Sequence, residues 1–174
     1  MSSRAAWRLE SLGFTHVFDY VPGKVDWLAS GLPTEGRGAR SLRAKDGVRS
    51  DIPTCHPGER LGDVRESVQA QGADGCVVLN DAGIVLGYLG GDAFDADPEI
   101  TAEEAMDPGP ITIRPHVPLA AAEEHLQKKD LERILVTTAD GQLIGMLYRR
   151  DAERMLSEAT DEIIRERGRG VRMG

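Results

Sequence analysis

Residues 133–156, RILVTTADGQLIGMLYRRDAERML, contain a dense set of structural signals. Two short apolar and β-branched runs, 134–138 and 143–148, lie on either side of Ala139–Gln142. Gly141 can adopt a positive φ at no steric cost, so this four-residue segment is typical of a tight turn. After the second run, apolar residues recur with helical spacing. The segment therefore predicts two strands joined by a turn and followed directly by a helix.

The same pattern occurs once more, upstream in the chain. Gly141 lies 58 residues after Gly83, and Thr112 lies 58 residues after Thr54. The correspondence between them has no gap, so the chain contains two copies of one β-α-β-β-α unit. A single copy of about 55 residues would bury too little of its surface to be stable alone. We therefore expect the two copies to share a core.

The repeated unit resembles the CBS domain, which occurs in tandem pairs called Bateman modules. The residues that carry the resemblance are Pro110–Pro115, Leu135–Val136, Asp140–Gly145 and Arg149–Asp151. The resemblance extends over residues 43–159. It implies an α+β fold in which two β-α-β-β-α repeats are related by a pseudo-two-fold axis and pack sheet against sheet. Many members of the family bind AMP, ADP, ATP or S-adenosylmethionine, whereas others serve as dimerisation units without a known ligand.

Asp151 is the principal candidate for ligand binding in the second copy. In adenosine-binding CBS domains an acid at this position accepts hydrogen bonds from the ribose hydroxyls; the alternative is that Asp151 only caps the last helix. The family has Ser or Thr three residues earlier, near phosphate, where this sequence has Tyr148, whose bulk would fill part of the pocket. Arg149 and Arg150 would compensate, because guanidinium groups bind phosphate with paired hydrogen bonds. The alternative for both is a solvated arginine.

By the same resemblance, the adenine ring would be bordered by Thr112 and Ile113, with Ile134 as an apolar floor. The alternative for all three is ordinary packing in the core. The first copy has a degenerate version of the site. Thr54 keeps its place, but Asp92 stands one position too early to match the acid of the second copy. Ligand binding is therefore expected mainly in the second copy.

Residues 1–36 lie outside the repeats. They predict a helix over 3–12, a strand over 17–21 and a second helix over 24–30. Their sequence resembles the last third of a rhodanese domain, after the loop that carries the catalytic cysteine, and no cysteine precedes Ser2. The segment is expected to be either a remnant with a docking role or the end of an enzyme domain cut off by a gene start placed too late. Neither permits sulfur transfer, because a thiolate is the nucleophile in that reaction.

The charge balance limits the classes of partner. The net charge of −8 and the pI near 5.0 argue against general binding to nucleic acid or to anionic membranes. Arg43, Lys45 and Arg49 form a short basic segment without aromatic residues, which is expected to be a solvated connector. No apolar run reaches the length of a transmembrane helix or of a signal peptide.

The residues that usually bind metals or react with substrates show no recognisable pattern. Cys55 and Cys76 have neither CxxC spacing nor the spacing of a metal site, and the histidines form no zinc motif. No nucleophile–base arrangement is evident. We therefore expect a cytoplasmic protein without a metal or catalytic activity, and the excess of arginine over lysine favours a bacterial origin.

The expected domain boundaries are 1–36 for the rhodanese-like segment, 37–42 for a linker, 43–98 and 99–165 for the two repeats, and 166–174 for a flexible tail. The main functional hypothesis is a regulatory module that binds an adenosine-containing ligand. The alternatives are a ligand-free dimerisation or interaction module whose N-terminal segment docks a partner, and a fragment of a rhodanese-type sulfurtransferase. A homodimer is expected through apolar faces of the helices at 61–69 and 119–127.

Overall fold

The computed structural model describes residues 3–18, Trp27 and 42–170. In the N-terminal part, helix α1 spans Ser3–Ser11. It is followed by Gly13, whose φ of 93° is typical of a glycine after a helix C-terminus. Residues 17 and 18 are not in a strand. The rest of that predicted strand, most of the second predicted helix, and residues 37–41 of the linker lie outside the described residues.

From residue 42 onward, short strands alternate with helices. In chain order the elements are β1 (Val48–Arg49), β2 (Thr54–Cys55), α2 (Leu61–Ala70), β3 (Gly75–Leu79), β4 (Val85–Gly90), α3 (Ala102–Ala105), β5 (Asp107–Pro108), β6 (Thr112–Ile113), α4 (Leu119–Lys128), β7 (Arg133–Thr137), β8 (Leu143–Tyr148) and α5 (Arg149–Gly170). A 3₁₀ helix, Ala44–Gly47, precedes β1, and another, Gly91–Asp95, lies between β4 and α3. The strand, turn, strand and helix predicted for residues 133–156 are confirmed by β7, β8 and α5.

The strands form two four-stranded sheets, with the orders β1-β8-β7-β6 and β2-β3-β4-β5. In each sheet the two strands of the hairpin are antiparallel. The short strand before the helix, β2 or β6, pairs parallel to the first strand of the hairpin. This pairing arises because α2 or α4 carries the chain back across the sheet before the hairpin begins. The tandem α+β fold predicted from the repeat is confirmed.

The outer strand of each sheet comes from the segment that precedes the other repeat. β1 precedes the first repeat but pairs with β8 of the second repeat. β5 precedes β6 of the second repeat but pairs with β4 of the first. Val48–Arg49 therefore belong to the second sheet and Ala44 packs in the core of the second repeat, although the sequence assigned residues 43–49 to the first repeat. A cut between residues 98 and 99 would remove the outer strand of both sheets.

The two sheets meet at their hairpin turns and through a shared apolar layer. The N–H of Val85 donates to the carbonyl of Gly141 at 3.1 Å, and the N–H of Leu143 donates to the carbonyl of Gly83 at 3.0 Å. Further from the turns, apolar side chains of both sheets pack together. The buried residues of this layer are Val77, Leu135 and Met146. The layer joins the two repeats into one folding unit, as the small size of each copy led us to expect.

Helices α2 and α4 cover the outer faces of their own sheets. Each helix packs its apolar side chains into the core between itself and its sheet, where they are no more than 3% exposed. The residues are Leu61, Val64 and Val68 of α2 and Leu119, Ala122 and Leu126 of α4. This corrects the expectation that these faces form a homodimer contact. The apolar spacing is the spacing of a helix packed on its own sheet, so these faces are not available to a second chain.

The two repeats end differently. β8 continues directly into α5, which is 22 residues long, whereas β4 is followed by the five-residue 3₁₀ helix Gly91–Asp95. Consecutive glycines at 90 and 91 favour this difference, because Gly has low helix propensity and Gly91 has a φ of 56°. Residues 166–170 of the predicted tail are helical, because adding a turn to an already nucleated helix is easy. Residues 171–174 of that tail lie outside the described residues.

Candidate functional site: a cavity between the repeats

A cavity of about 610 Å³ lies between the two sheets, at the end away from the hairpin turns. Both repeats contribute to its wall, through the start of β3, the end of β8 and the residues around them. Its charged and aromatic lining residues are Arg49, Asp51, Asp74, Tyr88, Glu132, Arg133, Tyr148, Arg149 and Arg150. The volume lies within the range of roughly 300–1,000 Å³ that is usual for small-molecule sites.

Two guanidinium groups lie against the ring of Tyr148. The central carbon of Arg49 is 5.1 Å from the ring centroid, and that of Arg150 is 5.7 Å away. Both distances permit a cation–π attraction. Within the described part of the chain Arg150 forms no ion pair, and the nearest carboxylate oxygens to Arg149 lie as far as 3.6 and 3.9 Å. The charges of Arg149 and Arg150 are therefore only weakly neutralised by the protein.

Arg49 holds the carboxylate of Asp151. Its Nε and Nη2 atoms each lie 2.7 Å from the same oxygen, Oδ2, and Nη2 of Arg154 lies 3.5 Å from Oδ1. The side chain of Asp151 is 11% exposed and that of Arg49 is 45% exposed. A carboxylate buried to this extent needs such partners, because it has lost most of its water. Asp151 lies in the first turn of α5, and the protein itself already satisfies it.

Arg133 joins the two repeats across the cavity. Its Nη1 lies 2.6 and 2.7 Å from the two carboxylate oxygens of Asp74, and its guanidinium carbon lies 5.3 Å from the ring centroid of Tyr88. The hydrogen bond from Arg133 is the main cause that holds the pKa of Asp74 below its ordinary value. Burial raises the pKa of Tyr88 to about 12, so its phenol is protonated at neutral pH.

The predicted site residues are divided between the cavity wall and other places. Tyr148, Arg149 and Arg150 lie on the wall. Asp151 lies beside the cavity, behind Arg49. The remaining predicted residues are not part of the wall, and they are Thr54, Asp92, Thr112, Ile113 and Ile134. Thr54 and Asp92 are exposed, on an outer strand and on a 3₁₀ helix respectively.

Ile134 corrects the expectation of an apolar floor. Side chains along a strand point alternately to its two faces. Arg133 lines the cavity and Leu135 packs in the layer between the sheets, so Ile134 points to the other face of β7. There it is buried with Leu126 of α4, and Ile113 packs against the same core. Both isoleucines have the packing role that was their alternative.

Most residues of the cavity wall were missed from the sequence, and the charged and aromatic ones among them are Arg49, Asp51, Asp74, Tyr88, Glu132 and Arg133. Tyr88 and Arg133 have no like counterpart in the other copy, where the matching positions are Met146 and Gly75. Comparison of the two repeats therefore gave no signal for them. Arg49 was assigned to a solvated connector, because nothing in the linear sequence shows that β1 pairs with β8.

The described residues show no site for a metal ion and no membrane span. No group of three or more His, Cys, Asp or Glu side chains is arranged to hold a metal ion in residues 3–18 and 42–170. None of the helices in this part of the chain is long and apolar enough to cross a membrane. The ring atoms Nδ1 of His116 and Nε2 of His125 are buried without a hydrogen-bond partner among the described residues, and no further ligand converges on either.

Comparison with known proteins identifies the second repeat. Residues 102–158 match the CBS domain family. A search of curated protein sequences found no match. Among solved structures, CBSX2 from Arabidopsis thaliana is similar to this chain. The structure of CBSX2 in complex with AMP has a TM-score of 0.61 and 20% sequence identity, and the match covers 69% of this chain and 99% of that chain.

Two further structures contain similar domains. The cytosolic domain of the Mg²⁺ channel MgtE in complex with ATP has a TM-score of 0.60 and 19% identity, over 68% of this chain and 51% of the MgtE chain. The CBS domain pair of protein MJ0100, in complex with 5′-methylthioadenosine and S-adenosyl-L-methionine, has a TM-score of 0.57 and 16% identity, over 68% of this chain and 98% of that chain. No comparison supports a rhodanese-like segment at residues 1–36. Residues 102–158 thus match the CBS domain, and the described residues have the fold of a CBS domain pair, or Bateman module.

Proposed function

We propose that this protein is a non-catalytic regulatory module that binds an adenosine-containing phosphate in the cavity between its repeats. The observation that carries the proposal is the convergence of Arg49, Arg133, Arg149 and Arg150 with two tyrosine rings on one cavity. Guanidinium groups bind phosphate through paired hydrogen bonds, and aromatic rings stack with flat rings such as a base. The ligands of the similar structures, AMP, ATP and S-adenosyl-L-methionine, support an adenosine compound here.

The phosphate is assigned to Arg149 and Arg150. Arg150 forms no ion pair within the described part of the chain, and the carboxylates nearest to Arg149 are beyond ordinary hydrogen-bond distance. Arg133 is less suitable, because Asp74 already neutralises it at 2.6 Å. AMP, ADP and ATP are therefore the preferred candidates, and S-adenosylmethionine, which has no phosphate, is the weaker one.

Asp151 can bind a ribose only when Arg49 moves. The Nε–H of Arg49 donates to Oδ2 of Asp151 at 2.7 Å, and Nη2 of Arg49 forms an ion pair with the same oxygen at 2.7 Å. A ligand phosphate offers the guanidinium group a replacement anion. In the proposed exchange, the phosphate is held by Arg149 and Arg150 and also pairs with Arg49, which releases Asp151 to accept hydrogen bonds from the ribose hydroxyls. Adenosine has no anionic group that could replace Asp151 as the partner of Arg49, so it should bind more weakly than AMP.

A second candidate function is an interaction module, and the N-terminal segment favours it. Large apolar side chains there are exposed to solvent, at 59–81% of their surface. They are Trp7, Leu12, Phe14 and Phe18. Exposed apolar side chains close together in sequence are typical of a docking element. This function would not require a ligand in the cavity, and it does not depend on a relationship to rhodaneses.

The homodimer and the cytoplasmic location remain proposals. The buried faces of α2 and α4 no longer serve as the dimer contact, so a dimer would use another surface. Light scattering on the full chain would decide between a monomer of 18.9 kDa and a dimer. The domain boundaries are proposed as in the sequence analysis, except that Val48–Arg49 pair in the second sheet.

Thermal unfolding with adenosine, AMP, ADP, ATP and S-adenosylmethionine tests the ligand proposal. A ligand at 100 times its dissociation constant stabilises the folded state by ~2.7 kcal/mol. For a chain of this size that raises the melting temperature by roughly 5–10 °C. We expect the three nucleotides to raise it more than adenosine does. If no compound shifts the melting temperature at millimolar concentration, the interaction module becomes the better assignment.

Two pairs of variants locate the ligand. Arg150→Ala should remove most of the difference between AMP and adenosine, whereas Arg60→Ala, which changes the same charge away from the cavity, should not. Asp151→Ala should reduce the shift from every adenosine compound. Asp92→Ala, at an exposed position of the first repeat, should leave it unchanged. Equal effects of Arg150→Ala and Arg60→Ala would refute the assignment of the phosphate.

A further inference from the structure

The two cysteines of the chain meet in the first repeat. Cys55 lies on β2 and Cys76 on the neighbouring strand β3, and their sulfur atoms are 3.4 Å apart. Both are free thiols and both are buried, Cys55 at 5% and Cys76 at 1% exposure. The sulfur atoms need to approach by only roughly 1.4 Å to reach the length of a disulfide bond. In the parallel pairing of the two strands Cys55 lies opposite Val78, two residues from Cys76, so closing a disulfide requires a shift of the backbone as well as of the two side chains.

The second repeat shows that the fold does not require sulfur at these positions. At the offset of 58 residues, Ile113 corresponds to Cys55 and Ile134 corresponds to Cys76. The isoleucines pack between their sheet and α4, as the cysteines pack between their sheet and α2. An apolar pair therefore suffices for packing, and the thiols add a chemical property that the second repeat lacks.

The two thiols are not equivalent. Their mutual hydrogen bond lowers the pKa of Cys55, whereas the same contact together with burial raises the pKa of Cys76. Cys55 is also the more exposed of the two. Because it is the more accessible of the two, we expect Cys55 to react first with a small oxidant, as its thiolate. Cys76 then stands in contact with the oxidised sulfur.

We propose that Cys55 and Cys76 form a reversible intramolecular disulfide, which makes the first repeat a peroxide-responsive dithiol site. Hydrogen peroxide is the oxidant class that suits this site, because it is small enough to reach a sulfur that is almost fully buried. A bulky disulfide oxidant would have to open the core before it could react. The proposed site does not depend on ligand binding in the cavity.

The reaction has two steps. The sulfur of Cys55 attacks one oxygen of hydrogen peroxide, the O–O bond breaks, and the products are a sulfenic acid and one water, which carries the thiol proton. The sulfur of Cys76 then attacks the sulfur of Cys55, the S–O bond breaks, and the hydroxide leaves as a second water with the proton of Cys76. The two thiols lose two electrons and the peroxide gains them. A dithiol reductant reverses the bond by exchange.

The disulfide would tie together two strands that border the cavity. Cys76 itself and its neighbours Gly75 and Val77 are part of the cavity wall, and so is Pro53, just before β2. The opposite part of the wall, with Arg149 and Arg150, belongs to the second repeat and is not touched. Oxidation would therefore act on the first-repeat half of the cavity and leave the arginines in place.

Intact-mass and peptide-mass measurements on the full chain test the proposal. Reduced protein is treated with hydrogen peroxide and then alkylated under denaturing conditions. We expect the mass of two hydrogen atoms to be lost, alkylation at both cysteines to be blocked, and a linked peptide to contain Cys55 and Cys76. Dithiothreitol should restore both thiols. Two alkylatable thiols after treatment, a link between different chains, or oxygen added without a link would each refute the proposal.

Single variants test the order of the two steps. Cys76→Val retains the first thiol without its partner, so peroxide should produce a sulfenic acid at Cys55 that dimedone traps. Cys55→Val should give much less trapping at Cys76. Equal trapping in both variants would refute the assigned order. If a variant fails to fold, the measurement on the unaltered chain still decides whether the disulfide forms.

Discussion

In the second repeat, β8 runs directly into the 22-residue helix α5, whose first turn carries Arg149, Arg150 and Asp151. In the first repeat, β4 is followed by a five-residue 3₁₀ helix, and Ala93 stands at the position that corresponds to Asp151. The first repeat nevertheless supplies Asp74 to the cavity. The fold therefore tolerates the loss of the charged first helical turn in the first repeat. The cavity is nevertheless built from residues of both repeats.

The outer strands extend this comparison. Each sheet accepts a strand from the segment before the other repeat, and a glycine of the hairpin faces that strand in both cases. The glycines are Gly145 opposite β1 and Gly87 opposite β5, which match at the offset of 58. Strand β1 carries Arg49, which pairs with Asp151. Strand β5 has Asp107 at the position that corresponds to Arg49, so it cannot form the same ion pair. The exchange is therefore a property of the fold, and the ion pair is a property of one repeat.

The largest effect is expected from matched deletions in the two helix-side cores. Leu61→Ala and Leu119→Ala each remove a side chain with 0% exposure. Each should lower the free energy of unfolding by ~2–5 kcal/mol, because the cavity left behind adds to the lost transfer energy. We expect urea unfolding of either variant to remain a single transition, since Val77, Leu135 and Met146 pack the two sheets together.

The two repeats should therefore unfold together, whichever of them carries the mutation. Circular dichroism follows the helices of both repeats. In a background where Trp7, Trp27 and Tyr20 are replaced by phenylalanine, the fluorescence of Tyr88 and Tyr148 follows the cavity. Coincident transitions by the two probes would confirm a shared core. Two separated transitions in either variant would contradict it, and the repeats would then have to be treated as independent units.

A smaller effect is expected from adding a methyl group where the exchanged strands approach. In Gly145→Ala the new Cβ would collide with the backbone carbonyl of Arg49 and with the side chain of Val48. In Gly87→Ala it would meet mainly the side chain of Met106, which is flexible. Gly145 also has a φ of 154°, which is unfavourable for alanine.

Gly145→Ala should therefore destabilise the fold by ~2–3 kcal/mol, and Gly87→Ala by ~1 kcal/mol. Urea unfolding measures both values. Hydrogen exchange at the amides of β1 and β8 should become faster in Gly145→Ala, because β1 is forced away from its partner. Equal losses of stability in the two variants would show that the two exchanged strands are held in the same way.

The repeat made much of the fold predictable. Two copies at a constant offset gave the strands, the turn at Gly141 and the helices, because these depend on periodicity and on local turn chemistry. The exchange of outer strands could not be predicted in the same way. β1 and β5 have two residues each, which is too short for a pattern, and their partners lie in the other repeat.

Of the cavity residues, only Tyr148, Arg149 and Arg150 were predicted, and they lie at the end of β8 and the start of α5. Arg149 and Arg150 were found because they follow β8 directly. Arg49 was missed because its place depends on strand exchange, and Ile134 was misplaced because a one-residue change of position on a strand reverses the face. The contact between Cys55 and Cys76 also needed the parallel pairing of β2 with β3, which their separation of 21 residues does not indicate.

The smallest effect is expected from the ion pair that crosses the cavity. Asp74→Asn removes the carboxylate that Arg133 holds, and Glu132→Gln changes the acid at the matching position of the second repeat. The side chain of Asp74 is 73% exposed, so the pair should contribute only ~0.2–1 kcal/mol at neutral pH. Because Arg133 lowers the pKa of Asp74 in the folded state, this contribution is present above the ordinary value of 3.8 and is lost as the pH falls through the lowered pKa.

The difference in unfolding free energy between the unaltered chain and Asp74→Asn should therefore shrink as the pH is lowered from 7 to about 3. Urea unfolding at several pH values measures this difference. Glu132→Gln should not reproduce the trend if the ion pair with Arg133 is its cause, since Glu132 does not form that pair. A difference that stays constant with pH would instead assign the effect of Asp74 to packing or to hydrogen bonding by a neutral side chain, and Arg133 would then carry more free charge toward the cavity than we propose.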